Sequence, residues 1–184
     1  QGVSSAASDV YKRQEIYSKN SDFDGVKLWN FLLEKGLPAG LMPSDVSSMH
    51  IRRIEAGILD YGTDIDQSLN PFEIGLDRLV HLDKFDFIGR KALMETNHKS
   101  LRLKGLLCGE ASLTRGDKLI DYGKEIGFVS AGAWSPYLES GVGLIRMNET
   151  KPSARKVRAV ASSGVFDAKV DDRLPYVNDK LLAW

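Results

Sequence analysis

The sequence predicts an α+β protein in which residues 15–98 are the remainder of an α+β domain and the second half, after Lys99, is a compact all-β domain. Before residue 60, apolar residues recur at helical spacing, whereas after Lys99 they form short runs separated by turn sequences. With 184 residues, of which 42% are hydrophobic, the chain can bury a substantial core. Its composition is not that of a disordered or collagen-like protein.

Capping residues and apolar spacing predict the helices of the first half. Asp22 or Asp24 can cap a helix that runs to about residue 34 and that Gly36 ends. A second helix is predicted to begin after residues 43–45, and an apolar stripe on it is formed by three isoleucines. These are Ile51, Ile54 and Ile58.

The second half is predicted to be a small antiparallel barrel. Turn sequences such as Tyr122-Gly123-Lys124 separate its apolar runs, at spacings close to those of small antiparallel barrels. The runs are residues 103–108, 126–130, 142–147 and 156–161. Between the two halves, we predict an ordered loop rich in glycine and aspartate over residues 60–78 and a short helix over residues 90–96.

Composition excludes several classes of function. The 25 basic and 25 acidic residues balance, so the chain lacks the positive surface of a protein that binds nucleic acid or an anionic membrane. No apolar stretch approaches the roughly 18 residues that a membrane span needs. The single cysteine, Cys108, predicts a reducing compartment, the cytoplasm, and together with only three histidines it argues against a metal site.

Residues 1–14 are interpreted as an artefact and are excluded from the fold prediction. The run from Asp9 to Gln14 resembles a translated transposase sequencing adapter, and the segment lacks the apolar core of a secretory signal. A genuine leader rich in serine and alanine is the alternative interpretation. On the first interpretation Glu15 is the first genuine residue. On either interpretation we expect the chain to be a fragment of a longer protein.

One charged pattern lies on the second predicted helix, and another follows it. Arg53 and Glu55 lie directly before a glycine-rich turn, where both could be held at a domain junction, although surface charge is the commoner explanation. Residue chemistry alone leaves these alternatives open. Asp60, Asp64 and Asp66 lack the spacing of a calcium loop, so we predict a solvated acidic loop there.

Several ordered blocks of sequence resemble one enzyme family. Residues 51–65 (IRRIEAGILDYGTDI) resemble the signature LRLEAGxxLYGxDI of the glycine-cleavage T-protein (aminomethyltransferase) superfamily. Further blocks are similar to other segments of that family and follow in the family's order. They are residues 70–76, 87–93, 126–132 and 135–136. Together the blocks span nearly all of the chain from Glu15 onward, which makes the resemblance specific.

The resemblance implies a partial T-protein fold. Residues 15–98 would form the C-terminal part of an α/β folate-binding domain, and residues 99–184 the small antiparallel β-barrel domain that caps the folate. The implied activity is that of a tetrahydrofolate-dependent one-carbon transferase, in the first place an aminomethyltransferase. The family's catalytic aspartate would lie upstream, so no catalytic residue is assigned here, and we expect the chain to be inactive alone.

The resemblance implies three folate-binding residues. Glu15 would match the glutamate of the family's GxEIY strand, where one carboxylate can accept two parallel hydrogen bonds from a pterin. Arg53 matches the signature arginine placed near the folate and the catalytic carboxylate, and its permanently charged fork suits the orientation of an anion. Tyr61 would line the same wall, with a packing role as the alternative.

The resemblance leaves the one-carbon donor open. Arg52, Asn70-Pro71 and Arg78 depart from the T-protein pattern, and residues 70–73 are closer to dimethylsulfoniopropionate demethylase, which transfers a methyl group to tetrahydrofolate on the same fold. A non-catalytic folate-binding module is a third alternative. The implied partners are folate and a small one-carbon donor, with a lipoyl carrier protein for the aminomethyl donor, and neither nucleic acid nor a membrane.

Overall fold

The structure is a computed structural model that describes residues 16–17, 22–96, 101–148 and 156–171. The interpretation of residues 1–14 and the role of Glu15 therefore lie outside the described residues. Contacts between Cα atoms divide the chain into two units, Gln1–Asp45 with Leu182–Trp184, and Val46–Leu181. The domain boundary between residues 98 and 99 stays a prediction.

The first unit contains helix α1, Gly25–Gly36. Its N-cap is Asp24, whose carboxylate accepts a hydrogen bond of 3.0 Å from the backbone N–H of Lys27, as the sequence predicts. The helix runs to Gly36 and continues as a 3-10 turn over Leu37–Ala39. The left-handed backbone of Gly40, at a φ of 87°, ends this turn.

The second unit begins with helix α2, Val46–Glu55, which ends in a Schellman motif. The Ile58 N–H donates to the carbonyl oxygen of Arg53 at 2.8 Å, and the Gly57 N–H donates to that of Ile54 at 3.1 Å. Gly57 takes a φ of 67° and turns the chain away from the helix axis. The predicted three-isoleucine stripe is therefore wrong at Ile58, which lies beyond the helix and is exposed.

The remainder of the second unit is built around a closed antiparallel barrel. Within the described residues its six strands are β1 Leu103–Cys108, β2 Lys118–Asp121, β3 Lys124–Ser135, β4 Ser140–Met147, β5 Lys156–Ala161 and β6 Gly164–Asp171. They pair in the order β1-β4-β3-β2-β5-β6, and β6 closes the barrel by pairing with β1. A short helix α3, Arg90–Glu95, precedes the barrel. The α+β class and the barrel are confirmed.

The predicted apolar runs correspond to β1, β3, β4 and β5, whereas β2 and β6 were not among them. The strand β2 has only four residues, and only Leu119 among its apolar residues is fully enclosed. On β6 the buried Ala168 and Val170 alternate with exposed residues, so no continuous apolar run marks the strand. Each of the two strands also pairs with one neighbour that is distant in sequence, β2 with β5 and β6 with β1, and local patterns do not show such pairing.

A β-bulge at Ser130 divides β3 into two halves that face opposite ways. Val129 pairs with Ile145 and Ala131 pairs with Leu144, so Ser130 is the extra residue on its strand. Before the bulge Val129 belongs to the apolar cluster inside the barrel, to which all six strands contribute. After it, Ala131 packs with Ile54 of α2 in a second cluster. After the bulge, the small side chains of Ala131 and Ala133 therefore face outward and pack against α2.

The segment after α2 is an ordered loop, as predicted, and arginines of the barrel side hold it. Arg146 on β4 pairs with the Asp66 carboxylate at 2.7 Å and donates to the Ser68 hydroxyl at 2.8 Å. Arg102 pairs with the buried Glu73 at 3.4 Å. None of the described helices is both long and apolar enough to cross a bilayer.

Gly132 provides a test of packing inside the barrel. A Cβ atom there would lie 2.6 Å from the backbone oxygen of Leu113, closer than van der Waals contact allows. We expect Gly132→Ala to lower the free energy of unfolding by about 2 kcal/mol, because overpacking a filled interior typically costs that much. Denaturant unfolding followed by circular dichroism measures the change. The matched control is Gly109→Ala, whose Cβ would meet no atom within 4 Å, and equal losses in both variants would contradict the packing described.

The Asp66–Arg146 pair should make stability depend on pH. Hydrogen bonds from the Arg146 guanidinium, and then from Ser68, hold the pKa of Asp66 well below its ordinary value of 3.8. A carboxyl whose pKa is lowered on folding stabilises the protein above its unfolded pKa and loses that effect as the pH falls toward the folded pKa. We therefore expect the melting temperature of wild type to exceed that of Asp66→Asn at pH 7 and the difference to shrink below about pH 4.

Salt and a second variant provide the controls for this prediction. The carboxylate is partly exposed, so added salt should also reduce the difference between wild type and Asp66→Asn. Asp83→Asn is the matched variant, because Asp83 is exposed and its side chain bonds to no described residue. A difference for Asp66→Asn that stays constant from pH 7 to pH 2.5 would show that the ion pair does not contribute.

Candidate functional site

The site begins with an ion pair between Arg53 and Asp64. Arg53 lies in the last turn of α2, and its Nη1 is 2.7 Å from Oδ2 of Asp64 in the following loop. The same Nη1 donates to the carbonyl oxygen of Ile58 at 3.2 Å. The Asp64 side chain has no exposed surface, whereas 17% of the Arg53 side chain is exposed. The carboxylate of the pair is therefore shielded from solvent, whereas the Arg53 side chain is partly accessible to it.

The carboxylate of Asp64 is held by groups from the loop and from the barrel. Its Oδ2 also accepts a hydrogen bond of 3.0 Å from the Asp60 N–H, and its Oδ1 accepts one of 2.7 Å from the Ser130 hydroxyl on β3. The prediction of a solvated acidic loop is thus wrong for Asp64. The positively charged guanidinium and these donors compensate the loss of water around the carboxylate.

Ser130 is the bulge residue of β3, and the bulge directs its hydroxyl at Asp64. The carbonyl oxygen of Leu144 lies 3.1 Å from the same hydroxyl. A hydroxyl carries one hydrogen, so the shorter, charge-assisted bond to the carboxylate is the one it makes. A bulge that re-aims a side chain in this way is common beside functional sites.

One edge of the Arg53 guanidinium, formed by Nε and Nη2, has no hydrogen-bond partner among the described residues. Both hydrogens of Nη1 have acceptors, the Asp64 carboxylate and the Ile58 carbonyl. No described residue accepts a hydrogen bond from Nε or Nη2 of Arg53. Nε and Nη2 form a planar pair of donors that matches two oxygens of an anion or of a similar acceptor. The arrangement can therefore orient a bidentate acceptor without further movement of the arginine.

Glu55 serves a different purpose from Arg53. It is fully buried at the end of α2, and its Oε1 accepts a hydrogen bond of 2.6 Å from the Ser135 hydroxyl on β3. Ser135 in turn accepts one of 3.0 Å from the Leu138 N–H. This network attaches the helix to the barrel. Neither Arg53 nor Glu55 is an ordinary surface charge, which resolves the alternatives that the sequence left open.

Of the three predicted folate-binding residues, the structure describes Arg53 and Tyr61. Tyr61 lies in the loop that supplies Asp64, where it forms a bridge with Ile65, and 67% of its surface is exposed. Asp64 and Ser130 also belong to the site, although the sequence did not predict them as members. The short separation of Asp64 from Arg53 was the available signal, whereas nothing local marks Ser130 as its partner.

Comparisons with known proteins agree with this architecture. The family model described as the GCVT N-terminal domain matches residues 14–84. A protein named aminomethyltransferase from Koribacter versatilis is 37% identical over 134 residues, which are 71% of this chain and 35% of that protein. Another from Halothermothrix orenii is 32% identical over 157 residues, 83% of this chain and 43% of that protein. The chain thus spans less than half the length of these relatives.

A solved structure shares the fold. The glycine cleavage system aminomethyltransferase T from Bartonella henselae matches 82% of this chain and 43% of its own chain, with a TM-score of 0.65 and 23% sequence identity. This likeness concerns the fold, whereas the relatives and the family model concern the sequence. Taken together with the signature that ends in Asp64 and Ile65, the family model and the relatives support membership of the glycine-cleavage T-protein (aminomethyltransferase) superfamily.

Proposed function

We propose that the chain is part of a tetrahydrofolate-dependent aminomethyltransferase of the glycine-cleavage type, and that Arg53 contacts the folate. The observation that carries the proposal is the free Nε and Nη2 edge of Arg53, held beside a fully buried Asp64. The names of the relatives support the same reaction class. The proposed setting is the cytoplasm, with residues 15–98 completing a folate-binding domain and residues 99–184 forming its barrel cap.

The residues present fit a reduced folate. Folate offers carboxylate and carbonyl oxygens, which are the acceptors that a fixed guanidinium edge binds. The exposed ring of Tyr61 can cover an apolar part of the ligand, and Glu15 is the proposed acceptor for the N–H groups of the pterin. When bound, tetrahydrofolate supplies the nucleophilic N5 that takes up the one-carbon unit.

The contribution of this chain to the reaction is positioning. A guanidinium does not serve as a proton-transfer group in proteins, so the role of Arg53 is to orient its ligand. Holding two reactants in the reacting geometry is itself a large part of the acceleration in group-transfer enzymes. The catalytic carboxylate is proposed to lie in the part of the longer relatives that this chain does not cover, and the proposed donor is carried by a lipoyl protein.

Replacement of Arg53 by lysine tests folate binding. Lysine keeps the positive charge that Asp64 needs but loses the planar pair of donors. We expect Arg53→Lys to raise the dissociation constant for tetrahydrofolate by about tenfold, the loss of a single charge-assisted interaction. Isothermal titration calorimetry measures the constant. Arg52→Lys, at an exposed position on the same helix turn, is the matched control. Identical affinities for wild type and Arg53→Lys would disprove the role of Arg53.

A chimera tests the reaction itself. The upstream part of the Koribacter versatilis relative, joined to this chain, should release ammonia and form methylene-tetrahydrofolate from an aminomethylated lipoyl carrier. The same chimera with Arg53→Lys should be slower by roughly tenfold at limiting folate. Formation of methyl-tetrahydrofolate from a sulfonium donor, with no ammonia from the lipoyl carrier, would replace the proposed reaction by demethylation. Binding without either turnover would favour a folate-binding module.

A further inference from the structure

We propose that Asp64 is a positioning residue, which fixes the plane of the Arg53 guanidinium so that its Nε and Nη2 edge points constantly at the ligand. The inference rests on the proposed function for the identity of that ligand, but not for the positioning itself. The inference goes beyond the presence of an ion pair, because it states that the buried carboxylate of Asp64 determines the orientation of the partly exposed Arg53.

The hydrogen bonds of Arg53 leave its guanidinium little freedom to rotate. Nη1 is bonded at 2.7 Å to Asp64 and at 3.2 Å to the Ile58 carbonyl, so both of its hydrogens are held. Since the guanidinium is planar, fixing Nη1 in this way also fixes the directions of Nε and Nη2. A long side chain that is held in advance loses less entropy when it binds a ligand.

Asp64 can act in this way because it is itself immobile. The Asp60 N–H at 3.0 Å and the Ser130 hydroxyl at 2.7 Å hold its two oxygens, and the side chain is fully buried. Ser130 belongs to the barrel, in which β3 and β4 are paired on both sides of the bulge. The barrel therefore sets the orientation of Arg53 through one carboxylate, although no contact between Arg53 and a strand is needed.

The network also provides a conservative variant. In Asp64→Asn the amide oxygen can still accept from Arg53 and Asp60, and the amide N–H can donate to Ser130. The Ser130 hydroxyl is then free to donate to the Leu144 carbonyl, which lies 3.1 Å away. The variant should therefore fold, with the charge of the pair removed and its shape preserved. Ser130→Ala, which removes only the hydroxyl bond to the carboxylate, is a second and independent variant.

Nitrogen-15 NMR of arginine side chains measures the positioning directly. We expect rotation of the Arg53 guanidinium about the Nε–Cζ bond, which exchanges Nη1 and Nη2, to be about tenfold faster in Asp64→Asn than in wild type, and about threefold faster in Ser130→Ala. The matched control is Ser135→Ala, which loosens the attachment of the same helix to the same strand through Glu55. Rotation of Arg53 should be unchanged there.

The outcomes separate this inference from the proposed function. Unchanged rotation in both Asp64→Asn and Ser130→Ala would overturn the positioning role, and so would equal acceleration in Ser135→Ala, since that result reflects a general loosening of the helix. Titration with tetrahydrofolate is a separate measurement on wild type. If the Nε signal of Arg53 does not shift, Arg53 does not contact folate and the proposed function is wrong, whereas the rotation rates still decide the role of Asp64.

Discussion

The organisation of the site depends on a negative charge that has been removed from water. A buried carboxylate is stable only when cationic and hydrogen-bonding groups replace its hydration, and loss of one partner of such a pair costs about 3–5 kcal/mol. Asp64 meets this requirement through Arg53, Asp60 and Ser130. The Asp64 carboxylate consequently joins three parts of the chain, which are the end of α2, the turn after it and the bulged strand β3.

The bulge at Ser130 connects the two apolar clusters of the second unit. A regular strand would present its odd-numbered side chains to one side throughout its length. The extra residue shifts this alternation, so that Val129 fills the barrel and Ala133 receives α2. The residues before the bulge therefore face the interior of the barrel, and the residues after it pack against α2. The bulge residue itself, Ser130, contacts the loop through its hydroxyl.

Local physical rules were sufficient where a few neighbouring residues decide the structure. The capping carboxylate of Asp24 and the apolar runs of β1 and β4 fall where the sequence predicts them. The signature around Arg53 indicates the family from the sequence alone. Ile58 was misplaced because the left-handed backbone of Gly57 ends α2 early.

Sequence reasoning failed where distant residues decide the outcome. Whether Asp64 is solvated or buried depends on Ser130, which comes from a strand much later in the chain, and on a bulge that no local pattern announces. The strand β2 is likewise too short to be recognised without its partners. Pairing over long separations joins residues that no short stretch of sequence contains together, so local patterns do not reveal it.

Closure of the barrel has a consequence for how this chain can associate with other molecules. Because β6 returns to β1, each of the six described strands has a hydrogen-bonded neighbour on both sides. Open sheets offer a row of backbone donors and acceptors to which a foreign strand can add, and this barrel does not. Another molecule that binds the outside of the barrel must accordingly recognise the shape and charge of its side chains. A point substitution can alter these without disturbing the backbone hydrogen bonds between the strands.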